Sequence, residues 1–261
     1  MYHLLASCLA VLSVVTRSSS TPVLPTAPSP QSILKSSTLL SRDEAQLPYG
    51  KVIDRCTVPG TIALAFDDGP YIYTEHVLDL LADTGMSATF FLCGDWEGNI
   101  YDFSHVVNRT LSEGHQIGSH SWSHYNLTTV PYQTILKEMY ALERAFTDIL
   151  GFVPTYTRTP WMHVNELVLS ALADLQYHVI GASIWTDDKA NNSPDRTERS
   201  AEMFREGLEQ GGSISLAHET QRYTAESLVE KMIEEVEKRG LKAVTVGECL
   251  GHPQELWYRE R

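Results

Sequence analysis

Short apolar runs alternate with amphipathic stretches from about residue 51 to the end of the chain. Between two of these runs, Ile135, Met139, Leu142, Phe146 and Ile149 recur at steps of three and four, which predicts one buried face of a helix. A similar spacing at 228–236 and a Ser-Pro start at 193–194 predict two further helices. The apolar runs that we predict as strands are 62–66, 88–92, 116–118, 155–157, 178–184, 213–216 and 243–246.

About seven strand–helix units in one stretch of chain predict an α/β fold. Parallel strands need a long crossover connection, usually a helix, so this alternation predicts a parallel sheet with helices outside it. The pattern fits both a (β/α) barrel and an open doubly wound sheet. Nothing in a length of 261 residues requires a second folded domain.

The chain is predicted to contain a leader, a linker, a folded domain and a tail. Residues 1–20 resemble a secretory signal, because the apolar stretch 4–15 is too short to cross a bilayer and small residues follow it. Residues 21–50 are rich in Pro, Ser and Thr, which predicts a linker. The folded domain is predicted at 51–251 and a polar tail at 252–261. We therefore expect a secreted protein, extracellular or in the cell wall, without a membrane anchor.

Export has consequences for the cysteines. Removal of the signal would remove Cys8 and leave Cys56, Cys93 and Cys249. An odd number of cysteines in an oxidising compartment predicts one disulfide and one free thiol. Cys56 and Cys249 lie just outside the first and last apolar strands, so we predict that they pair. Cys93 follows an apolar run and is predicted to be buried.

The charge and the sequons describe the expected surface. The formal net charge is −13, and no basic stripe offsets it, which argues against a nucleic acid or an anionic membrane as partner. A neutral polymer remains compatible with this charge. Asn108 and Asn126 begin Asn-X-Thr sequons, which predict glycosylation if the chain is secreted.

Two pairs of chemically active residues follow two of the predicted strands. Asp67 and Asp68 come directly after the run 62–66, and His120 and His124 follow the run 116–118 at a spacing of one helical turn. Alone, Asp-Gly-Pro is turn chemistry and a His-X3-His pair is weak evidence. Together they stand where parallel α/β folds collect catalytic groups. One carboxylate and two imidazoles can hold a divalent metal ion, and the second carboxylate can accept a proton from water.

Six segments together resemble the polysaccharide deacetylases of carbohydrate esterase family four, and most of all its fungal chitin deacetylases. The resemblance extends over about 56–251. It implies a distorted (β/α) barrel of about seven parallel strands in a single domain. The segments are 66–70 (Phe-Asp-Asp-Gly-Pro), 88–91 (Ala-Thr-Phe-Phe), 114–124 (Gly-His-Gln-Ile-Gly-Ser-His and on to the second histidine), 158–160 (Arg-Thr-Pro), 216–218 (Leu-Ala-His) and 243–250 (Ala-Val-Thr-Val-Gly-Glu-Cys-Leu).

The resemblance implies a metal-dependent site. Asp68, His120 and His124 would hold a divalent metal, most often zinc, with cobalt as the alternative. Asp67 would be the general base that activates water, and His218 the general acid that protonates the departing amine. An amide needs both, because it is a poor electrophile with a poor leaving group.

The resemblance also implies residues that support this chemistry. Arg158 would orient Asp67 through a charged hydrogen bond. The backbone N–H of Trp161 would help to bind the oxyanion, Leu216 would line the acetyl-methyl pocket, and Asp188 would belong to the substrate site.

The activity implied by the resemblance is removal of N-acetyl groups from chitin or chitooligosaccharides by a secreted hydrolase. We expect this hydrolase to be a monomer. An O-acetyl xylan esterase and a peptidoglycan deacetylase share the same motifs. Relatives carry aspartates where this chain has Ser183 and Trp185, which predicts weaker support of the catalytic arginine and histidine. This departure motivates a third hypothesis, a chitin-binding homologue with little catalysis.

Overall fold

The computed structural model describes residues 47–261. The predicted signal at 1–20 and residues 21–46 of the predicted linker lie outside the described residues. The strands are β1 (Val52–Ile53), β2 (Thr61–Ala63), β3 (Ala65–Asp67), β4 (Thr89–Leu92), β5 (Gln116–Ser119), β6 (Val153–Pro154), β7 (Tyr156–Thr157), β8 (His178–Ile180), β9 (Ile184–Trp185), β10 (Ser215–Leu216), β11 (Lys242–Val244) and β12 (Tyr258–Arg259). The helices are α1 (Thr74–Thr84), α2 (Ser104–Ser112), α3 (Tyr132–Leu150), α4 (Glu166–Asp174), α5 (Thr197–Glu209), α6 (Val229–Lys238) and α7 (Val246–Cys249).

A curled parallel sheet of six strands forms the centre of the domain, in the order β1-β8-β7-β5-β4-β3. Its strands are short and covered on both faces. Phe66, Phe90, Phe91 and Ile117 are all fully buried. Strands buried on both faces are near-continuous apolar runs rather than alternating ones, which is the pattern seen in the sequence.

Two shorter strand pairs extend this sheet. β9 pairs in parallel with β10, β2 pairs in parallel with β11, and a bridge between Phe66 and Ala217 joins the chain after β10 to β3. The predicted α/β class, a barrel-like parallel sheet in a single domain, is confirmed. The continuous sheet has six strands rather than about seven. One reason is that the predicted strand 178–184 breaks into β8 and β9, which belong to different sheets.

The helices pack their apolar faces onto the outside of the sheet. In α3, Ile135, Met139, Leu142 and Phe146 are fully buried, so the face predicted from their spacing is confirmed. The helix ends at Gly151, whose φ of 85° is left-handed and suits a residue without a side chain. None of the helices in residues 47–261 has the length and apolarity needed to cross a bilayer.

A disulfide ties the two ends of the domain together. Cys56 and Cys249 are bonded across 193 residues of chain, with their Cα atoms 4.9 Å apart, as predicted. Cys93 is buried and is the free cysteine among the described residues. Closure of so long a loop restricts the unfolded chain strongly, which stabilises the folded domain.

Both flanks of the predicted domain pack onto it. Tyr49, in the predicted linker, stacks on His178 with ring centroids 4.5 Å apart. In the predicted tail 252–261, β12 pairs in antiparallel fashion with β6, and Trp257 and Tyr258 are buried. The folded unit therefore includes residues on both sides of 51–251.

Candidate metal centre and active site

The residues with candidate chemistry meet at the carboxyl ends of parallel strands. Asp67 is the last residue of β3, and Asp68 follows it. His120 follows β5, Arg158 follows β7, and His218 lies just beyond β10. Because β3, β5 and β7 run in parallel in one sheet, their carboxyl ends meet at one edge. Asp67, His120 and His218 accordingly line one cleft.

Asp68, His120 and His124 form a group of three buried metal-binding side chains. Oδ1 of Asp68 lies 3.3 Å from Nε2 of His120 and 3.1 Å from Nε2 of His124. The three ligand atoms lie within 4.8 Å of one another. Within residues 47–261, Oδ1 of Asp68 is a buried oxygen without a hydrogen-bond donor. One carboxylate oxygen and two imidazole nitrogens are a donor set that fits zinc and similar divalent ions.

The ring of His120 is oriented by a backbone oxygen, and the environment of His124 favours its neutral form. Nδ1 of His120 lies 2.7 Å from the backbone oxygen of Arg158. When Nδ1 donates its proton to this carbonyl, the lone pair is left on Nε2, the nitrogen that faces Asp68. Burial lowers the pKa of His124, which favours the neutral imidazole that a metal requires.

The spacing of the two histidines does not reflect a helix. His120 follows β5, and His124 lies in an irregular loop with a φ of 55°, so the interpretation as one helical turn was wrong. Left-handed backbone at residues other than glycine costs on the order of 1–3 kcal/mol and clusters at functional sites. Around this site, the residues with such backbone are Asp68, Ser121, His124, Trp161, Met162 and Asp187.

Arg158 holds the proposed base. Its side chain is fully buried, and Nη1 donates a hydrogen bond of 2.9 Å to Oδ1 of Asp67. The remaining guanidinium donors reach the backbone oxygens of Ile180, Gly181 and Ser215 at 3.3, 2.8 and 3.2 Å. A planar group fixed on four acceptors leaves Asp67 little freedom to rotate.

Asp188 orients His218. The buried carboxylate accepts hydrogen bonds from the backbone N–H of His218 at 2.7 Å, from Nδ1 of the same residue at 2.8 Å and from Oγ1 of Thr224 at 2.8 Å. Burial opposes a charge on His218, but the attraction of Asp188 outweighs it and raises the pKa of His218 to about 9. Asp188 also lines the cleft, so its predicted place in the substrate site stays a prediction beside this contact with His218.

The residues that depart from the family pattern have other partners here. Oγ of Ser183 accepts hydrogen bonds from the backbone N–H groups of Ser213 and Ile214 at 3.0 and 3.2 Å, which joins β9 to β10. The side chain of Trp185 is half exposed and lines the cleft. Since backbone oxygens hold the guanidinium of Arg158, its support does not depend on an aspartate at either position.

Each of the two adjacent aspartates has its own cation. Asp67 is paired with Arg158, and Nζ of Lys189 donates to Oδ2 of Asp68. Burial opposes the charge on Lys189, but Asp68 outweighs it and raises the pKa of the amine. Separate partners relieve the repulsion between neighbouring carboxylates.

The walls of the cleft combine predicted and unpredicted residues. Trp161 and Trp185 are 59% and 50% exposed, whereas Leu216 is buried. The sequence motifs did not predict that Lys189 belongs to the site. The one available signal was its position directly after the motif residue Asp188. The complete set of lining residues is Asp67, His120, His124, Trp161, Met162, Trp185, Asp187, Asp188, Lys189, Leu216 and His218.

A close approach explains the glycine of the Asp-Asp-Gly-Pro segment. A Cβ atom at Gly69 would lie 1.9 Å from Oε1 of Glu219, so a larger residue cannot fit without movement of that side chain. Glu219 is itself fully buried directly after His218, and burial raises its pKa well above the ordinary value. Burial thus favours the neutral form of this carboxyl group next to His218.

The two sequons differ in their surroundings. Asn108 is exposed on α2 and donates to the backbone oxygen of Ser104 at 2.8 Å. Asn126 is half-buried; its Oδ1 accepts from the backbone N–H of Thr128, and its Nδ2 lies 3.0 Å from Nδ1 of His163. Glycosylation at both positions stays a prediction, and Asn108 offers the more accessible side chain.

Comparison with known proteins gives consistent matches over most of the chain. Residues 54–180 match the family model described as polysaccharide deacetylase. A chitin deacetylase of Pestalotiopsis sp is 47% identical over 216 residues, which cover 83% of this chain and 72% of that protein. A probable peptidoglycan-N-acetylglucosamine deacetylase of Arthroderma benhamiae is 46% identical over 214 residues, which cover 82% of this chain. The matched part spans about half (49%) of that relative's length.

A solved structure has the same fold. The chitin deacetylase of the fungal pathogen Colletotrichum lindemuthianum superposes with a TM-score of 0.79 at 38% sequence identity. The match covers 81% of this chain and 96% of that one. The cleft with its paired aspartates and histidines, the fold and these similarities agree with one another. The chain belongs to the polysaccharide deacetylase family, carbohydrate esterase family four.

Proposed function

We propose that the protein is a metal-dependent hydrolase that removes N-acetyl groups from chitin or chitooligosaccharides and releases acetate. The observation that carries this proposal is the grouping of Asp67, Asp68, His120, His124 and His218 around one cleft. The substrate class is supported by the similarity to chitin deacetylases of two fungi. The proposal concerns this chain and not the additional parts of its longer relatives.

Hydrolysis of an amide needs a polarised carbonyl, an activated water and a proton for the leaving nitrogen. Asp68, His120 and His124 would hold the divalent metal ion, and we propose zinc because of their nitrogen and oxygen donors. When bound, such an ion acts as a Lewis acid and lowers the pKa of water. The remaining requirements fall to side chains of the protein.

Asp67 is placed to act as the general base. Its Oδ1 is held by Arg158, whereas Oδ2 lies 4.0 Å from Nε2 of His120 and so faces the metal-binding group. Oδ2 takes a proton from the water molecule as the water oxygen bonds to the acetyl carbon. The fixed orientation of the carboxylate limits the reorganisation that this proton transfer requires.

His218 is placed to act as the general acid. Asp188 accepts the proton of Nδ1, which leaves Nε2 as the nitrogen that can give a proton to the substrate. Burial opposes a charge on the ring, but the attraction of Asp188 raises the pKa of His218 and so favours the protonated form that a general acid requires. As the bond between carbon and nitrogen breaks, Nε2 donates its proton to the nitrogen, and the products are acetate and a free amine.

Leu216 and the two tryptophans would bind the acetylated sugar. Leu216 is buried beside His218 at the base of the cleft and offers an apolar contact to the acetyl methyl group. We place the backbone N–H of Trp161 near the carbonyl oxygen, in agreement with the family resemblance. The exposed rings of Trp161 and Trp185 can stack on sugar faces.

We also propose that the protein is secreted and acts as a monomer on a polymer outside the cell or in its wall. The Cys56–Cys249 disulfide supports secretion, because such bonds persist in oxidising compartments. The predicted signal lies outside the described residues. The net charge of −13 repels the phosphates of a nucleic acid, so we propose no such partner.

A peptidoglycan strand is the second candidate substrate, since the Arthroderma relative is named for that polymer. Both polymers present N-acetylglucosamine, so the acetyl pocket alone does not separate them. Parallel assays on chitin oligomers, peptidoglycan and acetylated xylan, each normalised to zinc content, identify the preferred polymer. A rate on acetylated xylan that exceeds the rates on both amide substrates would reject N-deacetylation as the main activity.

The proposal is tested by measuring acetate and free amine released from chitin oligomers. We expect equal amounts of both products, loss of the reaction with a chelator and recovery with Zn²⁺. Product release that persists in the chelator would contradict a metal-dependent mechanism. Tight binding of oligomers without turnover after zinc loading would instead support the weakly catalytic chitin-binding homologue.

A further inference from the structure

Lys189 contacts the same carboxylate that belongs to the metal-binding group. Its Nζ donates to Oδ2 of Asp68, whereas Oδ1 of that aspartate faces Nε2 of His120 and of His124. The two oxygens of one carboxylate are therefore divided between a lysine and a pair of histidines. The family resemblance assigns no role to a lysine at this position.

The environment of Asp68 explains why a cation is needed there. The aspartate side chain is fully buried, whereas the lysine side chain is 39% exposed at the cleft. A buried carboxylate without a positive partner is costly, and Nζ of Lys189 is the ammonium group in direct contact with Oδ2 of Asp68. In the metal-free protein, Lys189 provides the charge that contacts Asp68 directly, in addition to the electrostatic attraction of His218.

A divalent ion bound by the three side chains would draw on the same negative charge. An ammonium group in contact with one of the ligands repels a second cation, and its hydrogen bond reduces the electron density that the carboxylate can donate. The ammonium group also restricts the carboxylate to offering Oδ1. Lys189 and the metal are therefore opposed partners of Asp68.

We propose that Lys189 is a positioning residue of the metal centre, which holds Asp68 in the metal-free protein and weakens the binding of the divalent ion. The proposal rests on the metal site of the proposed function, but not on which substrate is hydrolysed. The affinity of this chain for the metal ion would then depend partly on Lys189, a side chain that is not itself a ligand.

The first test is the Kd for Zn²⁺, measured by competition with a chromophoric chelator. Replacement of Lys189 by Met removes the charge and keeps a similar length, so we expect the Kd to fall about tenfold or more, on the basis of the repulsion between close cations. Lys189→Arg retains the charge and should stay within about threefold of the wild type. A Kd for Lys189→Met equal to or above that of the wild type would overturn the proposal.

A lysine elsewhere in the chain provides a matched control. Lys242 forms an ion pair of 2.7 Å with Glu248, and both side chains are largely exposed. Lys242→Met removes the same charge and the same type of contact far from the metal-binding group, so its Kd for Zn²⁺ should equal that of the wild type. A similar tightening in Lys242→Met would assign the effect to net charge and reject the role of Lys189.

The temperature of thermal unfolding is a second measurement, and substitution of a lysine on the surface would leave it unchanged. Without metal, Lys189→Met should unfold at a lower temperature than the wild type, because Asp68 loses its counter-charge. With saturating Zn²⁺ this difference should disappear or reverse. Equal unfolding temperatures of the metal-free proteins would overturn the role of Lys189 as the partner of Asp68.

A ligand variant separates this inference from the proposed function. Asp68→Asn should abolish Zn²⁺ binding in the same competition assay; unchanged binding would remove the metal site and this inference with it. Zinc binding that responds to Lys189→Met in a protein that releases no acetate from chitin would reject the proposed activity and uphold the inference.

Discussion

Arg158 is joined to Asp67 by a buried hydrogen bond of 2.9 Å, and its backbone oxygen lies 2.7 Å from Nδ1 of His120. One residue therefore fixes both the proposed base and a proposed metal ligand. The first contact depends on the guanidinium group, whereas the second depends only on the backbone. A side-chain substitution can consequently separate the two effects.

We expect Arg158→Lys to lose turnover but to retain zinc. An ammonium group cannot hold Asp67 and three backbone oxygens at once, and misplacement of a catalytic group by about 1 Å costs about 100-fold in rate. The rate of acetate release should fall by about that factor, with an unchanged Kd for Zn²⁺. Some loss of thermal stability is also expected, because each buried acceptor left unpaired costs about 1–3 kcal/mol.

Arg222 supplies the control for this experiment. It pairs with Glu226 on the surface, where both side chains are exposed, so Arg222→Lys should change neither rate nor zinc affinity. If Arg158→Lys lost zinc together with activity, the separation of its side-chain and backbone roles would be refuted.

The two neighbouring aspartates should respond differently to the same substitution. Asp67→Asn keeps the size of the side chain but cannot accept the proton, so we expect turnover to fall about 10²- to 10⁴-fold with zinc retained. Asp68→Asn should lose zinc binding first and activity as a result. Zinc content and acetate release are measured on the same samples. Full turnover in Asp67→Asn would refute its role as base.

The pairing of His218 with Asp188 predicts a pH dependence of stability. The folded pKa of His218 is raised to about 9 from 6.5, so its contribution to the stability of the metal-free protein is fully present below about pH 6.5 and disappears as pH rises through about 9. A shift of this size corresponds to about 3 kcal/mol. Asp188→Asn should remove most of this dependence.

Urea unfolding of the metal-free proteins at pH 6 and pH 9.5 measures this effect. The difference in free energy of unfolding between wild type and Asp188→Asn should be larger at pH 6. Asp187→Asn is the control, because that neighbouring side chain is exposed.

In the zinc-loaded enzyme, the alkaline fall of kcat/KM should move to lower pH in Asp188→Asn, since His218 must be protonated to act as acid. If the pH profiles of kcat/KM were the same in the wild type and Asp188→Asn, His218 would be excluded as a general acid whose pKa is raised by Asp188.

The sequence predicted the residues of the site better than their local structure. Asp67, Asp68, His120 and His124 follow strands that are recognisable as apolar runs, and parallel topology then brings the strand ends together. The spacing of the histidines suggested a helix because four residues equal one turn. The structure has a loop with left-handed backbone, which depends on tertiary contacts that no local pattern records.

The supporting contacts were harder to predict, because they join residues distant in sequence. Lys189 meets Asp68 across 121 positions, and Arg158 meets the backbone of Ser215 across 57. Backbone acceptors carry no signature in the sequence. The serine at position 183 therefore suggested that Arg158 loses a supporting carboxylate, whereas backbone carbonyl groups hold its guanidinium instead. The disulfide was predictable, since it joins cysteines that flank the first and last strands.

Trp185 is expected to bind substrate rather than to replace a missing carboxylate. Its ring is 50% exposed in the cleft that contains His218 and Leu216. Stacking on a sugar contributes on the order of 1 kcal/mol, so Trp185→Ala should raise KM for chitin oligomers about 5- to 10-fold with little change in kcat. Trp185→Phe retains an aromatic face and should recover most of the affinity.

A carboxylate at the same position distinguishes the two roles. Trp185→Asp restores the residue type that the family resemblance assigns there, but the guanidinium of Arg158 already has four acceptors. We therefore expect Trp185→Asp to raise KM as much as Trp185→Ala and to leave kcat no higher than in the wild type. Tyr140→Ala, which removes an exposed ring on α3, is the control for surface aromatics. A higher kcat in Trp185→Asp would show instead that the tryptophan limits catalysis by leaving the arginine insufficiently held.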